Sequence, residues 1–159
     1  MSKVLRLLER LELILPGFHG YKQKELIRED DLLVRRHVAS LIDNARQRVE
    51  QAMPQVVRTS PDLLPLVDSL RKRMLTVAER VRHAEAGYSG YFDRIKVVED
   101  TLEKVLEADL QLVETGKQLV EQATQLASNP QNAAQRLNEL LDTVEQTLEN
   151  RTRILLGVS

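Results

Sequence analysis

The chain contains no cysteine and no tryptophan, and only two Phe and three Tyr occur in its 159 residues. Without Cys there is neither a disulfide framework nor a thiolate metal site, and the absence fits a reducing compartment. Six glycines and five prolines are too few for a collagen-like or low-complexity chain, and 42% hydrophobic residues exclude a disordered one. No stretch of about 18 consecutive apolar residues is present, so no membrane-spanning helix is expected. Arg6, Glu9, Arg10 and Glu12 break the N-terminal apolar run, which excludes the hydrophobic core of a signal peptide. A formal charge of −1 gives no overall bias toward nucleic acid or acidic lipid, and no nucleic-acid partner is expected. These absences describe a soluble, cytoplasmic single domain over residues 1–159.

The residues that are present repeat at helical spacing. Leu63, Val67, Leu70, Met74, Val77, Val81 and Ala84 alternate steps of four and three. Ile95, Val98, Leu102, Val105, Leu112, Leu119, Ala123 and Leu126 form a similar seam, with Asp109 and Gly116 in its gaps. Ala133, Leu137, Leu140, Val144 and Leu148 form a third, and Val34, Val38, Leu41, Ala45, Val49 and Ala52 a fourth. Such spacing predicts helices, and no comparable segment alternates with period two. Pro16-Gly17, Pro54, Gly87 to Gly90 and Asn129-Pro130 divide the pattern. The expected helices run over about 2–15, 22–53, 61–86, 91–127 and 130–156, with Ser60-Pro61-Asp62 and Asn129-Pro130 as cap-plus-proline starts. Seams near a seven-residue repeat and short connections predict an all-α, elongated, antiparallel up-and-down bundle with sequential helices as neighbours.

A shift of 70 residues superimposes Leu5, Glu9, Arg10, Gly17, Gly20, Tyr21, Glu29, Asp30 and Leu32 on Leu75, Glu79, Arg80, Gly87, Gly90, Tyr91, Glu99, Asp100 and Leu102. The pattern Gly-[Phe/Tyr]-x-Gly-Tyr recurs in both copies, although Gly and Tyr are rare here. An internal duplication follows, with units 1–56 and 61–127 and a final helix over 130–156. Charge is uneven: residues 1–86 hold sixteen Lys/Arg against twelve Asp/Glu, and the remainder seven against twelve. The two parts either complement each other across the bundle or solvate their outer faces. A basic face made by Arg71, Lys72, Arg73, Arg80 and Arg82, able to dock an anion, is the alternative.

All five aromatics fall in the two repeated loops. Phe18, His19, Tyr21 and Lys22 in the first, with Tyr88, Tyr91 and Phe92 in the second, are the candidate binding residues. Rings flanking a helix start clamp the entry of the chain, so the leading expectation is that they plug the ends of an aliphatic bundle. As the alternative, the hydroxyls, His19 and Lys22 form a recognition surface, for which Tyr and Phe are well suited. His19, His37 and His83 are not spaced as a ligand set and no Glu-x-x-His occurs, so no metal and no cofactor is expected. Glu79 and His83 lie one turn apart and read as an i,i+4 hydrogen bond. Asp109 stands in a hydrophobic seam. It is the buried polar candidate, to be placed at the margin by helix rotation, satisfied by an Arg from another helix, or used in catalysis. The Glu29-Asp30-Asp31 and Glu99-Asp100 clusters read as solvated faces. The first helix is apolar around most of its circumference, and either packs under the bundle or docks a partner or membrane surface.

Pro16-Gly17-x-x-Gly20-Tyr21-Lys22-x-Lys24-Glu25-x-x-Arg28-Glu29-x-Asp31, with Gly87-Tyr88-Ser89-Gly90-Tyr91-Phe92-Asp93 downstream, resembles a family of uncharacterised all-helical bacterial proteins. The resemblance covers about residues 14–113 and is most specific in the two loops. It implies that both loops belong to one recurring architecture, and it brings no activity, ligand or catalytic residue. With no phosphate loop, dinucleotide motif or nucleophile elbow, the expected function is a non-enzymatic interaction or scaffold bundle acting on an unidentified protein partner, with homo-oligomerisation as one form of it. The alternatives are a small-molecule or anion binder using the aromatic loops, and peripheral membrane or nucleic-acid attachment through the basic third helix.

Overall fold

The computed structural model describes residues 3–22, 26–84 and 99–156. They form an all-helical bundle: α1 Lys3–Ile14, α2 Ile27–Thr59, a 3₁₀ turn Pro61–Leu63, α3 Leu64–Arg82, α4 Glu99–Gln125 and α5 Pro130–Leu156. The expected seams are its core. Val67, Leu70, Met74, Val77 and Val81 of α3 are buried, as are Leu112, Leu119 and Ala123 of α4, Leu126 just beyond its end, and Leu137, Leu140 and Val144 of α5. Each Val, Leu or Met side chain so buried contributes about 1.5–3 kcal/mol relative to exposure, which is what holds helices of this length together.

Pro54 does not end the second helix. α2 continues through it to Thr59, because Val49, Ala52 and Val56 keep one apolar face buried on both sides of the proline. That packing offsets the missing N–H and the ring clash, together worth about 3 kcal/mol. Ser60 makes no side-chain cap; its own N–H bonds back to Val56 O at 2.8 Å, and the 3₁₀ turn precedes α3. The expected start of the fourth helix at 91 lies outside the described residues.

Neighbours do not all follow chain order. α2 packs on α3 and α4, α5 packs on α4 and α3, and the sequential pair α3 and α4 shares no comparable interface. The four long helices therefore stand in the ring order α2–α3–α5–α4. Gly116 of α4 allows the close approach of α2, since a Cβ there would lie 2.9 Å from Leu41 Cδ1. α1 packs chiefly on α4. It buries Leu7, Leu8 and Leu11 and, just beyond its end, Leu15. Lys3 pairs with Glu103 and Glu107, and Arg10 with Glu114, along one flank. The apolar circumference read from the sequence is only partly covered, as Leu5 and Leu13 remain exposed.

Candidate functional site

The loop between α1 and α2 is built on an aspartate. Residues Gly17, Gly20 and Tyr21 have positive φ of 89°, 69° and 62°. Two glycines supply that geometry freely, whereas Tyr21 adopts it against an unfavourable contact of its Cβ. Asp30, in the first turn of α2, over-determines it: Oδ1 accepts the His19 backbone N–H at 2.9 Å and Oδ2 the Tyr21 backbone N–H at 2.9 Å. The His19 ring adds Nδ1 at 3.3 Å from the same Oδ1. Folding back in this way turns both rings inward. Phe18 and Tyr21 are buried and meet edge to face, with centroids 5.3 Å apart. Gly20 sits against Leu8 of α1 so closely that a Cβ would collide with it.

The Tyr21 hydroxyl reaches a second set of buried charges. It donates to Asp109 Oδ2 on α4, and Arg151 of α5 donates from Nε to Asp109 Oδ1 at 2.6 Å. Arg151 Nη2 lies 2.6 Å from Asp31 Oδ1 of α2 and donates to the Tyr21 hydroxyl at 3.2 Å. Asp31 Oδ2 accepts from Arg35 Nε at 2.9 Å, one turn along α2, and Arg35 Nη1 donates to the Arg82 carbonyl at the end of α3. The guanidinium thereby satisfies a carbonyl at the negative end of a helix dipole. Asp30, Asp31, Arg35, Asp109 and Arg151 are each at most 1% exposed. One network thus ties the loop to all four long helices.

Burial sets the electrostatics. It pushes the Tyr21 phenol well above 10.0, an effect increased by the Asp109 charge and opposed by Arg151. Asp109 is likewise raised from 3.8 by burial, against the opposing pull of Arg151 and the Tyr21 hydrogen bond. The sealed network can transmit position from one helix to another. Among the described residues, each of its charges is screened from solvent.

The other candidates lie elsewhere. Glu29 is exposed as expected, but Asp30 and Asp31 are buried rather than solvated, because the returning loop and α5 cover their side of α2. Lys22 is exposed and the His19 side chain 40% exposed, so only these two of the first loop's candidates reach the surface. Tyr88, Tyr91 and Phe92 lie outside the described residues. On α3 the basic residues face carboxylates: Arg71 and Lys72 meet Asp68, Arg73 meets Asp142 and Glu145, Arg80 meets Glu145, and Arg82 meets Asp43 and Glu79. Anion docking on that face has to compete with these partners. His83 Nε2 lies 3.1 Å from Glu79 Oε2. His37 is half-buried, and burial, then Lys117, lowers its pKa from 6.5. Among the described residues no three His, Asp or Glu side chains converge in a metal-binding arrangement. None of the described helices is long and apolar enough to cross a membrane.

Arg35, Asp31 and Arg151 escape a reading that follows only apolar side chains, yet the signal is present. Stepping back from Val49 through Ala45, Ile42 and Val38 by fours and threes leads to Arg35 and then Asp31. Leu137, Leu140, Val144 and Leu148 lead to Arg151 and then Leu155. Each occupies a seam position, as Asp109 does. Comparison with protein-family models, curated proteins and solved structures gives no match.

Proposed function

We propose that this chain is a non-enzymatic protein-interaction bundle that offers its outer helix faces to a partner. The observation that carries this reading is the enclosure of its most reactive constellation. Tyr21, Asp31, Asp109 and Arg151 are all buried and engaged with one another, which suits rigid positioning and leaves no acid, base or nucleophile facing a substrate. Apolar side chains stand on the outside instead: Leu5 and Leu13 on α1, Val57 near the end of α2, and Leu66 and Leu75 on α3. Leu13, 85% exposed, is the largest such contribution and sits beside Arg6, Glu9 and Glu12, a mixed surface of the kind found around interface anchors.

The test is affinity capture from the native host with the wild type, Leu13→Asp and Leu75→Asp, followed by urea unfolding of each. Partners retained by the wild type and lost by at least one outer-face variant of unchanged stability support the reading. A turnover activity in the purified protein, or a partner set indifferent to both substitutions, overturns it.

A further inference from the structure

α2 and α4 run in the same direction, since Leu41 stands against Gly116 and Arg48 reaches Thr124, and α3 and α5 return. The α2–α3 and α4–α5 connections therefore share one end of the bundle. The residues beyond those described join the chain toward the other end, next to Lys22, Leu26, Ala84, Glu99 and Leu156, and before Lys3 beside Glu103. At the shared end the two connections differ. The α4–α5 connection exposes Ser128, Asn129 and Gln131, all polar. The α2–α3 connection exposes Val57 at 46% and Leu66 at 39%, together with Pro54, Pro61 and Pro65. Proline fixes φ, so this tip has little conformational entropy to lose on contact. Its charges are also unlike their neighbours. Among the described residues from Glu50 to Arg82, every charged side chain has an ion-pair partner except Arg58 and Asp62. Arg58 donates only to Gln55 Oε1, at 2.6 Å, and Asp62 is exposed on the other side of the turn.

We infer that the α2–α3 tip is an interaction surface for the same tip of a second copy of this chain, docked end to end about a two-fold axis. Charge selects this occupant. The tip carries one unpaired cation and one unpaired anion, on either side of Ser60 and Pro61, around an apolar surface. About a two-fold axis, residue i of one copy meets residue j of the other, and j meets i. With the axis at the turn, Arg58 of each copy meets Asp62 of the other, so both charges gain a partner while Val57 and Pro61 are covered. A helical hairpin tip offers less than the roughly 800 Å² per partner of a standard interface, so the dimer is transient and forms on concentration. This inference rests on the reading of the chain as an interaction protein, and it names one partner and the surface that meets it.

The absence of Cys makes the test direct. The Ser60 side chain makes no cap, so Ser60→Cys puts a single thiol beside the axis, where like residues meet. The full chain carrying it is concentrated and treated with a short bis-maleimide, and Gln146→Cys, exposed on α5, sets the background. The expected result is covalent dimer above that background, rising with concentration. Adding Arg58→Asp or Asp62→Arg to Ser60→Cys should lower the yield at least about tenfold, because each sets like charges against one another across the axis. Mixing these two charge variants should restore it, since one then presents two anions to the two cations of the other. Dimer at the background level, equal yield in the charge variants, or no restoration on mixing overturns the inference. A host protein captured by the tip in place of a second copy overturns it as well. Failure here leaves host-partner capture by Leu13 and Leu75 untouched, so the two readings fail separately.

Discussion

Two regions of this bundle are rich in paired charges, and they differ in what the pairs face. On the outer side of α3, Arg73 and Arg80 reach Asp142 and Glu145 of α5 with water on one side. At the loop end, Arg151 reaches Asp31 and Asp109 with none. The Coulomb attraction is similar in kind, but the cost of breaking it is not. An exposed pair returns its partners to water, whereas a buried one leaves a carboxylate stranded in a poorly solvating interior. The outer pairs adjust the surface; the inner network dictates which helices meet and how the loop closes.

The largest expected effect comes from stranding both inner carboxylates at once. Arg151→Met should lower unfolding free energy by about 3–5 kcal/mol in urea, the range for removing one side of a buried pair. A loss below about 1 kcal/mol would place Arg151 in the same class as the surface arginines. Tyr21→Phe removes the donor to Asp109 and keeps the ring, and should cost about 1–3 kcal/mol. It also carries a pH signature. The native state keeps the Tyr21 proton at pH values where the unfolded chain releases it, so its contribution is full below 10.0 and is lost as pH rises through the raised native value. Wild-type stability should thus fall on alkaline titration more steeply than that of Tyr21→Phe.

Arg73→Ala, at a side chain 29% exposed, should cost about 0.2–1 kcal/mol, and added salt should shrink the difference further. The smallest effect belongs to His37. Its lowered native pKa means that its contribution is full above 6.5 and lost as pH falls through the native value. His37→Gln should flatten the stability profile slightly between neutral and mildly acid pH. Asp109 acts in the opposite sense: with its native pKa raised from 3.8, its contribution is full below that value and diminishes as pH rises through the native one. Asp109→Asn should remove that decline, measured against the wild type by urea titration at stepped pH.

Much of the fold follows from the period of the apolar residues, because a helix in a bundle has to bury one stripe and the stripe is written at fixed intervals. Two kinds of information lie outside that period. Whether Pro54 ends a helix depends on the packing beyond it, since Val56 continues to face the core. Which helices are neighbours depends on all seams together, and the ring order that separates α3 from α4 is not carried by either one alone. The site shows the same limit. Asp109 is conspicuous because it interrupts a long apolar seam, whereas Asp31 and Arg35 stand at the beginning of one and resemble a polar helix end. Their meaning appears when the interruptions are compared across helices: acids on α2 and α4 and a base on α5, each in register with leucines and valines. The first loop's rings belong to the core for a reason invisible in their spacing, namely that Asp30 lies one helical turn into α2 and draws the backbone back over itself.

The loop and the long helices thus act as one energetic unit through buried contacts. A double-mutant cycle in urea with Tyr21→Phe, Arg151→Met and the pair measures that unity. The expected coupling is at least about 1 kcal/mol, within the range for residues sharing a network. Losses that add to within about 0.3–0.5 kcal/mol, as they do for distant and independent sites, would contradict it.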